Sequence, residues 1–137
     1  MLYAAYGSNL NLMQMGWRCP SARVVGTGFI TGYRLEFRRY LTIVPDEKGE
    51  VPVALWELTD QDEKALDQYE GFPHFYHKEM ICVETKTGAV KALVYIMNSG
   101  EPALPTSYYL DAVKVGYDCC GFDKFYLKEA LEKIANK

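Results

Sequence analysis

Apolar and polar positions along this chain follow two rhythms, one with the period of a strand and one with the spacing of a helix face. The strand rhythm dominates the first two thirds. Residues 1–5 form a short apolar run that reads as a buried first strand and breaks into the polar turn Gly7-Ser8-Asn9. Residues 24–30, 34–37 and 41–44 read as further strands, and Pro45-Asp46-Glu47-Lys48-Gly49 reads as a turn into another at 51–58. Two more follow at 78–84 and 90–97, joined by a turn at 86–88. In the first of them Met80, Cys82 and Glu84 alternate with Ile81, Val83 and Thr85.

The helical rhythm is confined to shorter stretches. Asn9 or Asn11 caps a short helix through Met15, and residues 107–115 form a second candidate. Another starts at Asp123 as N-cap, with Phe122 and Leu127 placed as a hydrophobic staple and Leu127, Leu131 and Ile134 on one face. The order predicts one α+β domain with a largely antiparallel, barrel-like sheet.

The stretch from Thr59 to Pro73 has the punctuation of a helix. Thr59 is a credible N-cap, Asp60, Asp62 and Glu63 load the first turn, and Gly71 and Pro73 supply the stop. Leu66 and Tyr69, three apart, share an inner face. Glu70 breaks the pattern, because a carboxylate in the last helical position faces the negative end of the dipole. That setting raises its pKa towards the range of a general base, unless the side chain simply points into water.

The N-terminal run ends as Tyr6-Gly7-Ser8-Asn9-Leu10. Gly7 takes backbone angles denied to other residues, and Ser8 and Asn9 favour turns and N-caps. Such a turn is either an ordinary strand-to-helix link or a cluster of backbone N–H groups that holds an anion or a polarised carbonyl.

Together, Tyr6-Gly7-Ser8-Asn9-Leu10 and Leu66-Asp67-Gln68-Tyr69-Glu70-Gly71 resemble the gamma-glutamylcyclotransferase family, which includes AIG2-like and BtrG-like proteins. The resemblance extends over nearly the whole chain, through Arg18-Cys19-Pro20, Gly26-Thr27-Gly28, Val51-Pro52-Val53-Ala54-Leu55-Trp56, Leu93-Val94-Tyr95-Ile96-Met97 and Pro105-Thr106-Ser107-Tyr108-Tyr109. It implies a small mixed β-barrel with flanking helices, Glu70 as general acid/base, and Tyr95 and Tyr109 near a ligand pocket. From pattern alone Tyr95 is a core strand residue and Tyr109 the apolar face of a helix.

Composition fits a single domain over residues 1–137, with 49% hydrophobic residues. A net charge of −3 gives no electrostatic reason to bind nucleic acid or an acidic membrane surface. The run at 1–5 is too short for a signal peptide or membrane span. None of Cys19, Cys82, Cys119 and Cys120 forms a C-x-x-C pair, so they read as reduced thiols in a cytoplasmic protein. His74 and His77 lack the company of a metal site, the Gly-Ser-Asn turn is not a Walker A loop, and Ser8 lacks a nucleophile elbow. Neither metal nor cofactor is expected.

The chemistry implied by the resemblance is cyclisation of a γ-glutamyl compound to 5-oxoproline. The α-amine attacks the γ-carbonyl, and the amine or amino acid leaves. An amine of pKa roughly 8 needs a base at neutral pH, which is the role of Glu70. The N–H groups of Tyr6 through Asn9, with Leu10 completing the motif, hold either the α-carboxylate or the oxyanion, and Tyr95 or Tyr109 completes the grip. The alternatives are processing of γ-glutamyl amines or larger γ-glutamyl conjugates by the same site, and a non-catalytic small-ligand-binding protein.

Overall fold

The computed structural model describes residues 1–135. Five strands close into a barrel. β1 (Leu2–Ala5) lies antiparallel to β3 (Tyr40–Glu57), with Ala5 opposite Ala54, and parallel to β5 (Gly88–Met97), with Tyr3 opposite Leu93. β2 (Arg23–Arg38) pairs with β3 and β4 (Tyr76–Thr85), and β4 pairs with β5. All contacts but one are antiparallel, so the sheet is mixed and has no free edge. The expected α+β barrel is present.

The middle of the sheet is more continuous than its sequence suggests. The segments 24–30 and 34–37 belong to one strand, β2, and 41–44 and 51–58 largely belong to β3. The turn expected at 45–49 is a bulge inside β3, spanned by pairing of Tyr33 with Pro45 and Thr31 with Glu50. Gly49 packs against the Tyr33 carbonyl so closely that a Cβ would lie 2.2 Å from its oxygen. Local turn chemistry is therefore absorbed as a kink, because pairing with β2 continues on both sides.

The helices flank this barrel. α1 (Leu12–Arg18) is capped by Asn11, whose side chain accepts from Gln14 N. α2 (Asp60–Glu70) starts at a capping box in which Thr59 and Asp62 bond reciprocally, and stops at Gly71 with φ 67°. α3 (Ser107–Cys120) runs one turn and more beyond the expected 107–115. α4 is Phe125–Ala135, with Asp123 accepting from Phe125 N and Leu127 buried. Among the described residues no helix is long and apolar enough to cross a membrane. The core fills the barrel and the helix seams with Phe37, Leu41, Ile43, Val53, Leu66, Val83, Val94 and Tyr117.

Candidate active site

A cavity of about 320 Å³ opens at one mouth of the barrel. Its wall joins the turn after β1 (Tyr6 to Asn9), the start of β3 (Tyr40, Leu41), the end of α2 (Tyr69, Glu70), the start of β4 (Tyr76, preceded by Phe75), Tyr95 of β5 and Tyr109 of α3. Tyr3 completes it. No Lys or Arg is among these residues, and Glu70 is the one carboxylate.

Burial pushes the Glu70 carboxyl up from its ordinary 4.5 to about 7, against a smaller opposing pull from the Arg18 guanidinium. The rise expected from the helix end therefore has a different main cause: α2 delivers the group into the aromatic wall of the cavity. No hydrogen bond to the carboxylate contributes to this shift.

The turn after β1 folds as a 3₁₀ segment over Ser8–Leu10, closed by Leu10 N to Gly7 O and Asn11 N to Ser8 O, each 3.0 Å. As in any helical start, the first N–H groups have no partner within the segment. Gly7 has φ −125°, so it is not in the left-handed region expected of it. Its lack of a side chain matters for space, since a Cβ would lie 3.1 Å from the Tyr109 hydroxyl. Asn9 is buried and spans two partners: its amide donates to Tyr3 Oη at 2.8 Å, and its oxygen accepts from Arg18. Leu10 is absent from the cavity wall. It is fully buried under Gly116 of α3, where a Cβ would come within 2.6 Å of Leu10 Cβ, and it anchors the turn from below.

The phenols are held by backbone and by each other. Leu41 uses both of its backbone polar groups: its N–H donates to Tyr109 Oη at 3.1 Å, and its carbonyl accepts from Tyr76 Oη at 2.8 Å. Tyr6 donates to the Tyr95 carbonyl at 2.6 Å, and Ser8 Oγ and Tyr69 Oη share a bond of 3.0 Å. Tyr95 Oη donates to Asp67 Oδ1 at 2.7 Å. Burial, with the Glu70 charge adding to it, keeps the hydroxyls of Tyr3, Tyr6, Tyr76, Tyr95 and Tyr109 above the ordinary phenol range, so they remain neutral.

Thus Tyr6, Gly7, Ser8, Asn9, Glu70, Tyr95 and Tyr109 meet around one space, although they come from four separate segments. Tyr3, Tyr40, Leu41, Tyr69, Phe75 and Tyr76 join them without having been singled out in the sequence. Tyr69 was expected on the inner face of α2 but is 45% exposed, with the Arg18 guanidinium carbon 3.8 Å above its ring centre. Tyr3 carries the one available signal, a phenol within an otherwise apolar buried strand. His77 bonds Asn98 and Glu79 at the surface.

A family model described as "Gamma-glutamyl cyclotransferase, AIG2-like" matches residues 3–111. The chain belongs to this family. The matched span contains every residue of the cavity wall. Among solved structures, the chain is similar to one named "Gamma-glutamyl cyclotransferase", with TM-score 0.86 and 24% identity over 95% of this chain and 85% of that one. It is similar also to the uncharacterized protein loc79017 from Homo sapiens, with TM-score 0.85 and 25% identity over 94% of this chain and 85% of the other. YkqA from Bacillus subtilis shares the fold at TM-score 0.79 and 17% identity, over 98% of this chain and 54% of YkqA. No curated protein matches the chain. The gamma-glutamyl cyclotransferase fold thus accounts for the whole barrel, including the strand order that brings β1 beside β5.

Proposed function

We propose that this member of the gamma-glutamyl cyclotransferase family cyclises a γ-glutamyl amide to 5-oxoproline and free amine, with Glu70 as the proton-transfer group. The observation that carries the reading is the Glu70 carboxyl, held near 7 in the wall of a tyrosine-lined cavity beside an N–H-bearing turn. A carboxylate of that basicity accepts a proton from the substrate ammonium at neutral pH far better than an exposed one. The freed α-amine attacks the γ-carbonyl. A new N–C bond closes the five-membered lactam, the amide C–N bond breaks, and the leaving nitrogen takes a proton back from Glu70. The second proton, shed by the ring nitrogen, also passes to the departing amine, which leaves as ammonium. Atoms balance without water or an external nucleophile.

The chamber supplies the rest. A flexible glutamyl chain must fold so that amine and γ-carbon meet, and fixing that conformer is worth up to roughly 7–11 kcal/mol. Tyrosine faces confine the methylenes, while the N–H groups of the Gly7 to Asn9 turn offer donors to a carboxylate or to the developing oxyanion. A screen of γ-glutamyl dipeptides, γ-glutamyl amines and glutathione for 5-oxoproline release tests the reading. Release from at least one, abolished in Glu70→Gln, is expected. No release from any of them overturns it.

A further inference from the structure

A second depression lies against the tyrosine wall of the cavity. Ser8, Tyr40, Tyr69 and Tyr109 line the cavity on one side and this depression, of about 400 Å³, on the other. This outer groove lies between α1 and α3, and Trp17, Arg18 and Tyr108 form much of its remaining surface. Cyclisation consumes only the glutamyl end of a substrate, so the departing amine needs a path from the γ-carbonyl to solvent. Sharing a wall with the cavity, this groove is the neighbouring surface such a leaving group would meet.

Its chemistry is specific. Trp17 is 73% exposed and Tyr108 80% exposed, so two large aromatic surfaces stand in water on neighbouring helices at the cavity mouth. Clustered apolar surface of that kind marks a ligand site more often than a passive face. Tyr40 is steadied edge-on against Tyr109, ring centres 5.1 Å apart. Arg18 is fixed at the base of the groove by three contacts: the Tyr69 ring, Asn9 Oδ1 and Gln14 Oε1 at 2.8 Å. Glu70 feels its charge, but no carboxylate among the described residues reaches ion-pair distance of it, and no Asp or Glu lines the groove. Aromatic faces around one oriented, unpaired guanidinium suit an amine that carries both a ring and a carboxylate. A second ammonium on the leaving group would meet the Arg18 charge.

We infer that the groove is the leaving-group subsite and that the substrates are γ-glutamyl derivatives of aromatic amino acids, an inference that rests on the cyclotransferase reading above. The test compares kcat/KM for 5-oxoproline release from γ-glutamyl-phenylalanine, γ-glutamyl-phenethylamide, γ-glutamyl-methylamide and ε-(γ-glutamyl)-lysine. The phenylalanine compound is expected to exceed the methylamide on the order of ten-fold or more, with the phenethylamide between them and the lysine compound disfavoured. Trp17→Ala and Tyr108→Ala, both at exposed positions, should each shrink the phenylalanine-to-methylamide ratio several-fold. Equal rates, a preference for the lysine compound, or a ratio that neither variant moves would overturn the subsite. Calorimetric binding of the same compounds separates the two failures. The expected ranking of Kd without turnover refutes the reaction and keeps the subsite, whereas flat or absent binding refutes the subsite itself.

Discussion

The Tyr95 hydroxyl donates to Asp67 Oδ1 at 2.7 Å, tying β5 across the cavity to the helix whose last residue is Glu70. Asp67 accepts from Lys78 Nζ as well, at 3.0 Å, and Lys78 reaches Glu63 of the same helix at 2.9 Å. One side chain thus links two strands to α2, three residues before the proposed base.

Asp67→Ala should therefore reduce both stability and turnover. It leaves the largely buried Tyr95 hydroxyl without its acceptor, a loss of about 1–3 kcal/mol. Asp67→Asn keeps an oxygen for that hydroxyl and should stay within several-fold of the parent in kcat. Urea unfolding and 5-oxoproline release on both variants check the pair. Equal damage from Asn and Ala would mean that the charge facing Lys78 matters more than the tie to Tyr95.

Glu70→Gln retains the size of the side chain and removes its capacity to accept a proton. Turnover should fall by about 10²–10⁴-fold while Kd for a γ-glutamyl compound changes little. Single-turnover kinetics alongside calorimetry measure the two separately. Near-parental turnover would place the base elsewhere.

The same residue makes stability depend on pH in a defined direction. Its folded carboxyl titrates at about 7 and its ordinary value is 4.5, so the folded state holds the proton more tightly. The associated stabilisation is complete below pH 4.5 and is lost as pH rises through 7. Glu70→Gln should therefore gain on the parent across that window, by on the order of 2–3 kcal/mol, and hold a constant margin above it. Denaturant midpoints at pH 4.5, 6 and 8 give the comparison. In the parent, kcat/KM should rise with pH through about 7 and level off about one pH unit above it, as the carboxylate form becomes dominant.

Gly7→Ala tests the close approach at the turn. The added Cβ meets Tyr109 Oη at 3.1 Å and Leu41 Cβ at 3.7 Å, so the phenol must yield into the cavity. At φ −125° the backbone itself does not demand glycine. KM should rise on the order of ten-fold while Tm shifts by less than about 4 °C. A large Tm loss with unchanged KM would assign Gly7 to packing alone.

The parts of this molecule that its sequence displays are those set by local chemistry. Thr59 and Gly71 bracket α2 because capping and left-handed backbone are local demands, and Glu70 stands out because it violates one. The Tyr6 to Asn9 turn is visible for the same reason. What depends on distant pairing is hidden. The 45–49 segment has the composition of a turn, and only continued pairing of β2 with β3 makes it a bulge. Tyr76 and Leu41 come from segments 35 residues apart, and nothing in either marks the Tyr76 hydroxyl as bonding the Leu41 carbonyl. Leu10 sits within the most legible motif yet serves the core, since Gly116 admits α3 against it.

The backbone N–H and carbonyl of Leu41 set the direction of the hydroxyls that bond them. Tyr109 receives the Leu41 N–H and so has its own proton left to offer, whereas Tyr76 has already given its proton to the Leu41 carbonyl and Tyr6 has given its own to Tyr95. Tyr109 consequently has a donor to offer, while Tyr76 and Tyr6 have acceptor lone pairs. Under the proposed reaction, a zwitterionic guest would meet both donors and acceptors from neutral hydroxyls in a wall without Lys or Arg, with Glu70 for its ammonium. Because those hydroxyls do not ionise below the phenol range, this polarity persists while the carboxyl titrates.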